Sequence, residues 1–168
     1  EAEASSLTDF AAGLDGWAAV NADLAPGSNL AVRGESGVAR MDIDAAGPGG
    51  RAIIAREFDL TPGVAYEVEI SFTLVSADVA DLPWAVSVGA TEDDIPFAFL
   101  DVANTTTPAA GTPLVVSTRV VFSTDVATDP SDETEVAPVR IAVGISPTTA
   151  GVRSYDFGDI SVEIFRDL

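Results

Sequence analysis

Val64-Ala65-Tyr66-Glu67-Val68-Glu69-Ile70-Ser71-Phe72-Thr73-Leu74-Val75 decides the fold class. Its larger apolar residues, Val64, Tyr66, Val68, Ile70, Phe72 and Leu74, take every second position. Glu67, Glu69, Ser71 and Thr73 stand between them. Side chains of a strand point alternately to opposite faces, so this segment is a strand with one face in a core and the other in water. Thr61-Pro62-Gly63 ahead of it marks a turn. Tyr66 falls on the apolar face, where its hydroxyl requires a partner.

The same period continues on both sides. Upstream, Leu30 to Val32 is a short strand, Gly34-Glu35-Ser36-Gly37 turns, and Val38 to Asp44 alternates through Ala39, Met41 and Ile43. Gly47-Pro48-Gly49-Gly50 turns again before Arg51 to Phe58. Downstream, Trp84 to Val88, Pro96 to Val102, Leu114 to Phe122, Val139 to Ile145 and Tyr155 to Phe165 are further strands, the last with Ile160, Val162 and Ile164 on one face. Some nine or ten short strands, with no amphipathic helix, predict an all-β fold, an antiparallel β-sandwich. An up-and-down barrel is the other closure. Thr105 to Thr112 and Thr124 to Pro138 read as long loops rather than linkers, and 168 residues suit one domain.

Composition excludes much chemistry. All eight basic residues are Arg, and the chain has no Lys, Gln, Cys or His. Histidine-dependent nucleophiles, Schiff-base or P-loop lysines, and Cys/His metal or haem sites are therefore impossible. With 27 Asp+Glu the net charge is 8 − 27 = −19. That charge disfavours nucleic acid and anionic membranes and suits neutral polymers or cations, or serves solubility alone. At 47% hydrophobic residues the chain is one that folds. No apolar run reaches the ~18 residues of a membrane span. Glu1-Ala2-Glu3-Ala4 resembles the remnant of a trimmed yeast secretion leader, so residues 1–4 are expected to stand outside a domain of residues 5–168, and the protein is expected to be secreted.

Four segments carry a family resemblance. Phe10-Ala11-Ala12-Gly13-Leu14-Asp15-Gly16-Trp17 resembles the F-x-x-G-L-x-G-W opening of jelly-roll carbohydrate-binding modules. Gly34 to Gly37 is similar to the small-residue turn before one of their core strands. Leu60-Thr61-Pro62-Gly63-Val64-Ala65-Tyr66-Glu67-Val68 resembles their L-x-P-G-x-x-Y-x-V segment, and Tyr155 to Val162 resembles their closing strand. Together they point to the galactose-binding-domain-like superfamily, of the kind appended to xylanases and glucanases. The resemblance implies a jelly roll, a polysaccharide ligand and a structural calcium. Departures exist: Ala11 stands where the family often has a calcium-binding Glu, Pro113-Leu114 replaces a usual Trp, and the closing acidic pair is Gly158-Asp159. Asp159 and Asp9 remain as calcium carboxylates, aided by carbonyls of the Gly34 to Gly37 turn; the plain alternative is that Asp159 bonds only backbone amides.

Sugar recognition needs flat apolar platforms with polar groups at their edges. Trp84, after Asp81-Leu82-Pro83, is a platform or a core residue, Trp17 a core residue, and Tyr155 a core or rim residue. Phe97 and Phe99 read as core, with Asp101 further along their face. Glu69, Asp101 and Arg119 are expected either as a polar line on one sheet face that binds ligand or as ordinary cross-strand charge pairs. Asp129, Asp132, Glu133 and Glu135 form a solvated acidic loop, and Asn104-Thr105-Thr106 is a glycosylation sequon. Glu67 and Glu69 are the one conceivable hydrolytic pair, but neighbours on one strand rarely flank a sugar from opposite sides. The expectation is a monomeric, non-catalytic carbohydrate-binding module, with a structural or adhesive extracellular sandwich as the alternative.

Overall fold

The computed structural model describes the backbone of residues 2–76, 85–92, 98–103, 111–147 and 149–167, and the side chains of 2–75, 111–147 and 149–167. The described residues form eleven strands: β1 (Ala4–Thr8), β2 (Ala18–Ala22), β3 (Asn29–Glu35), β4 (Val38–Ala45), β5 (Arg51–Leu60), β6 (Ala65–Ser76), β7 (Ala85–Glu92), β8 (Ala98–Ala103), β9 (Leu114–Ser123), β10 (Ala137–Ser146) and β11 (Gly151–Arg166). They build two antiparallel sheets. The first runs β3-β4-β11-β6-β9, with β1 also on β11; the second runs β2-β5-β10-β7-β8. The chain passes repeatedly between the sheets, which gives a jelly-roll sandwich and not an up-and-down barrel.

The expected alternation fills the space between the sheets. From β6 come Tyr66, Val68, Ile70, Phe72 and Leu74; from β5 come Ala52, Ile54, Phe58 and Leu60; from β10 come Val139, Ile141, Val143 and Ile145. Each fully buried Ile, Leu or Phe side chain contributes roughly 1.5–3 kcal/mol, so this layer is the main source of stability. Trp17 lies in the core as its motif implies, and its indole N–H donates to the buried Thr8 hydroxyl at 3.2 Å.

β11 changes parity along its length. Opposite β6, Gly158 pairs with Thr73 but Ser161 pairs with Ser71, so one extra residue is inserted. Asp159, with φ of 48°, sits in this bulge. Ile160, Val162 and Ile164 therefore share the core with Tyr155 and Phe157, from positions of opposite parity.

The N-terminus departs from expectation. Glu3 and Ala4 belong to the fold: Ala4 opens β1 and packs on the core. The Glu3 amide donates to the Ile164 carbonyl at 2.8 Å. The Tyr66 hydroxyl donates to Glu3 Oε1 at 2.9 Å and accepts the Thr61 amide at 2.9 Å, which supplies the partner its burial demanded. Arg166 closes the cluster by an ion pair to Glu3.

Candidate functional site

The two sheets present unlike outer faces. On the first, Glu69 of β6 stands directly opposite Arg119 of β9. The Arg119 guanidinium reaches Glu69 at 2.6 Å and Glu67 at 3.3 Å. Arg40 makes a bidentate pair with Asp156, both bonds 2.7 Å. Arg33 joins Asp42 and Glu35. The Ser154 hydroxyl and the Arg33 guanidinium hold the Asp42 carboxyl below the usual range. This face is a lattice of cross-strand charge pairs. Glu67 and Glu69 share one guanidinium, an arrangement that does not place two carboxyls on either side of a glycosidic bond.

The outer face of the second sheet carries small and apolar residues. Val139, Ile141, Val143 and Ile145 face the core, so Arg140, Ala142, Gly144 and Ser146 take the other face of β10. The strand register extends these positions into rows. One row is Ala18, Ala55, Ala142, Gly89 and Phe99; the next is Val20, Ile53, Gly144, Ser87 and Asp101; a third joins Glu57, Arg140 and Thr91. Ile53, Ala55 and Ala142 form an apolar cluster of their own, separate from the main core, with Val20 and Ala22 packed against it. Gly144 has no room for a side chain there: a Cβ would stand 2.2 Å from the Ala52 carbonyl oxygen and 2.5 Å from Ile53 Cγ2. Ile53 and Ala142 are fully covered and Ala55 nearly so, which makes this cluster a second small core on the outer side of the sheet, with Arg140 and Glu57 in the adjoining row and Glu57 exposed.

The expected site residues divide accordingly. Glu69 and Arg119 meet, but as an ion pair on the first sheet. Asp101 is on β8 in the second sheet, so the three cannot form one polar line. Phe99 and Asp101 sit on adjacent rows, beside Gly89 and Ser87. Tyr155 is fully buried, not a rim residue, because the bulge at Asp159 turns it inward. Trp84 and Phe97 lie outside the described residues, as does the Asn104 sequon. Phe10, Trp17, Phe58, Tyr66, Phe72, Tyr155 and Phe157 are all in the core, and Phe122 packs against it. Among the described side chains, then, none of the large exposed hydrophobics is aromatic. Arg140 belongs to no motif named above; its signal in the sequence is the Arg-x-Ala-x-Gly alternation opposite four large core residues.

The acidic loop organises itself. Glu135 accepts the Thr128 amide at 2.7 Å and the Asp129 amide at 3.0 Å, while Asp129 and Asp132 each accept the amide two residues on, at 2.9 Å. The Ser131 and Thr134 hydroxyls, each donating at 2.6 Å, and then the amides hold the Asp129 and Asp132 carboxyls below their ordinary range, and the Asp129 and Thr128 amides do so for Glu135.

Asp9 and Asp159 are neighbours. The last pair of β1 and β11 is Thr8 with Ile160; Asp9 follows Thr8 just beyond β1, and Asp159 precedes Ile160 on β11. Asp9 accepts the Ala11 amide at 3.0 Å. The Gly34 to Gly37 turn lies against this segment: a Cβ at Gly37 would be 3.7 Å from the Asp9 carbonyl oxygen. Among the described residues no group of three or more acidic, His or Cys side chains that could hold a metal occurs. Two carboxylates reach the six to eight oxygens of calcium only with backbone carbonyls and water.

Comparison with known proteins bears on the fold. No protein-family model matches the chain, and no curated protein does. Among solved structures, the xylan-binding module CBM15 superposes with a TM-score of 0.58 at 14% identity, over 98% of this chain and 99% of that one. A CBM4 structure gives 0.50 at 16% identity, over 92% and 96%. The CBM22-1-GH10 modules of Clostridium thermocellum endo-1,4-beta-D-xylanase 10B, complexed with xylohexaose, give 0.50 at 17% identity; the match covers 95% of this chain and 28% of that one. The chain thus has the jelly-roll β-sandwich fold of carbohydrate-binding modules.

Proposed function

We propose that the chain is a non-catalytic carbohydrate-binding module that holds a polysaccharide across the outer face of the second sheet. The observation that carries this reading is the likeness to the xylan-binding module CBM15 over 98% of the chain, and the second sheet is preferred because the outer face of the first is closed by ion pairs. Arg140 and Asp101 would bond sugar hydroxyls, and the platforms would come from the aromatics outside the core, Trp84 first among them. The module would concentrate a linked or partner glycoside-active enzyme on its polymer, outside the cell. Among the described residues no helix is long and apolar enough to cross a membrane. The structural neighbours described as xylan-binding make xylan the first polymer to try. Asp9 and Asp159, completed by carbonyls of the neighbouring turn, would hold a calcium ion that ties β1 to β11.

A structural or adhesive sandwich is the second reading, favoured by the burial of Tyr155 and the lack of exposed rings among the described side chains. Affinity electrophoresis against xylan, β-glucan, cellulose derivatives and mannan separates the two. Retardation by one polymer that Trp84→Ala reduces about tenfold or more supports the module. Migration unaffected by any polysaccharide favours the structural reading.

A further inference from the structure

We propose that the chain pairs with a second copy of itself along the free edge of β9, joining the two first sheets into one. Among the described residues β9 ends its sheet and pairs only with β6. Edge strands are normally protected by lysines, prolines, bulges or brevity. β9 has ten residues in unbroken register with β6, and none of them is Pro or Lys. Val115 is 73% exposed and Val121 63% exposed. The one charge, Arg119, is drawn back over its own sheet by Glu67 and Glu69.

The strand is its own complement. Leu114-Val115-Val116-Ser117-Thr118-Arg119-Val120-Val121-Phe122 reads alike in both directions about Thr118: a large apolar residue, two valines, a polar residue, and the same in reverse. An antiparallel two-fold pairing centred on Thr118 sets Val115 against Val121 of the other copy, Val116 against Val120, and Leu114 against Phe122. Arg119 meets Ser117, so like charges never stand opposite. The register is even, so outward residues stay outward. Thr112 to Ser123 contains no carboxylate, in a chain of net charge −19. This is the stretch where two acidic copies approach at least cost, and salt should strengthen the pair by screening the rest.

Light scattering after size exclusion tests this, from about 10 µM to about 1 mM protein and from about 0.05 M to about 1 M NaCl. The expected result is a monomer–dimer equilibrium that shifts toward dimer with salt. Val115→Lys/Val121→Lys, both at exposed positions, sets lysine against lysine twice and should cut the dimer fraction about tenfold. Val115→Glu/Val121→Glu should do the same, and mixing the two variants should restore a dimer of one copy of each. Thr118→Cys adds a single thiol to a chain without cysteine; it should form an oxidised dimer readily, and Ser123→Cys should not. A monomer under every condition overturns the proposal. So does a dimer that survives the lysine variant, since it would use another surface.

Discussion

Removing the Tyr66 hydroxyl tests whether the N-terminal residues are part of the folded unit. In Tyr66→Phe the ring remains in the core, stacked on Phe122 with centroids 5.8 Å apart, so no large cavity opens. What is lost is the 2.9 Å bond donated to Glu3 and the 2.9 Å bond accepted from the Thr61 amide. Glu3 keeps Arg166 and the Thr61 hydroxyl, so its carboxylate is not stranded. The Thr61 amide loses its hydroxyl acceptor. Losing one bond to a charged group and leaving one donor without its partner costs about 1.5–3 kcal/mol. Urea unfolding should show a lower midpoint with unchanged slope. Glu3→Ala should be non-additive with Tyr66→Phe, with a coupling of about 1 kcal/mol, because the two side chains touch. A loss below about 0.5 kcal/mol for Tyr66→Phe, or strict additivity, would mean that Glu3 does not dock and that β1 is not anchored as described.

Three other perturbations follow from the same packing. The Arg166 bond holds the Glu3 carboxyl below its ordinary value of 4.5, as Tyr66 and Thr61 do more weakly. A depressed folded-state pKa gives stability that is present above the unfolded value and lost as pH falls through the folded one. Glu3→Gln should therefore narrow its gap to the wild type below about pH 4, which urea titrations at several pH values would show. Gly144→Ala drives a methyl group into the Ala52 carbonyl and Ile53, and should cost about 1–3 kcal/mol or more in thermal unfolding; an unchanged melting temperature would contradict this packing. Asp159→Gly relieves a positive φ of 48° and should stabilise the chelated protein by about 0.5–1 kcal/mol. If Asp159 binds calcium, the same variant loses the calcium-dependent rise in melting temperature that the wild type shows.

The sandwich was legible because β6 and β10 follow period two with few exceptions, and their turn signals are Gly and Pro. β1 and β2 were not. Ala4-Ser5-Ser6-Leu7-Thr8 is short, and its one large apolar residue, Leu7, is 74% exposed. It holds its place through β11 and through Glu3, contacts distant in sequence. For Tyr155 the sequence leaves core and rim both open, and the structure takes the core. Its parity relative to Ile160 reads as outward until the extra residue at Asp159 is counted, and that bulge is fixed by pairing with β6, nearly 90 residues earlier in the chain. The expected polar line fails for a related reason. Glu69, Asp101 and Arg119 alternate alike on their own strands, but only the strand order shows that β8 pairs with β7 in the second sheet while β6 pairs with β9 in the first. The run of small outward residues on β10 is the available clue, but small residues by themselves suggest no chemistry.

In the proposed binding mode the ligand lies on the second sheet and not the first. The most direct measurement is calorimetric titration of the polysaccharide that retards the wild type into two variants, Arg140→Ala and Arg119→Ala, each checked for an intact fold by circular dichroism. Binding on the second sheet makes Arg140→Ala about tenfold or more weaker and leaves Arg119→Ala unchanged. Equal affinity for Arg140→Ala and the wild type, with a loss for Arg119→Ala, would place the ligand on the opposite face and contradict it.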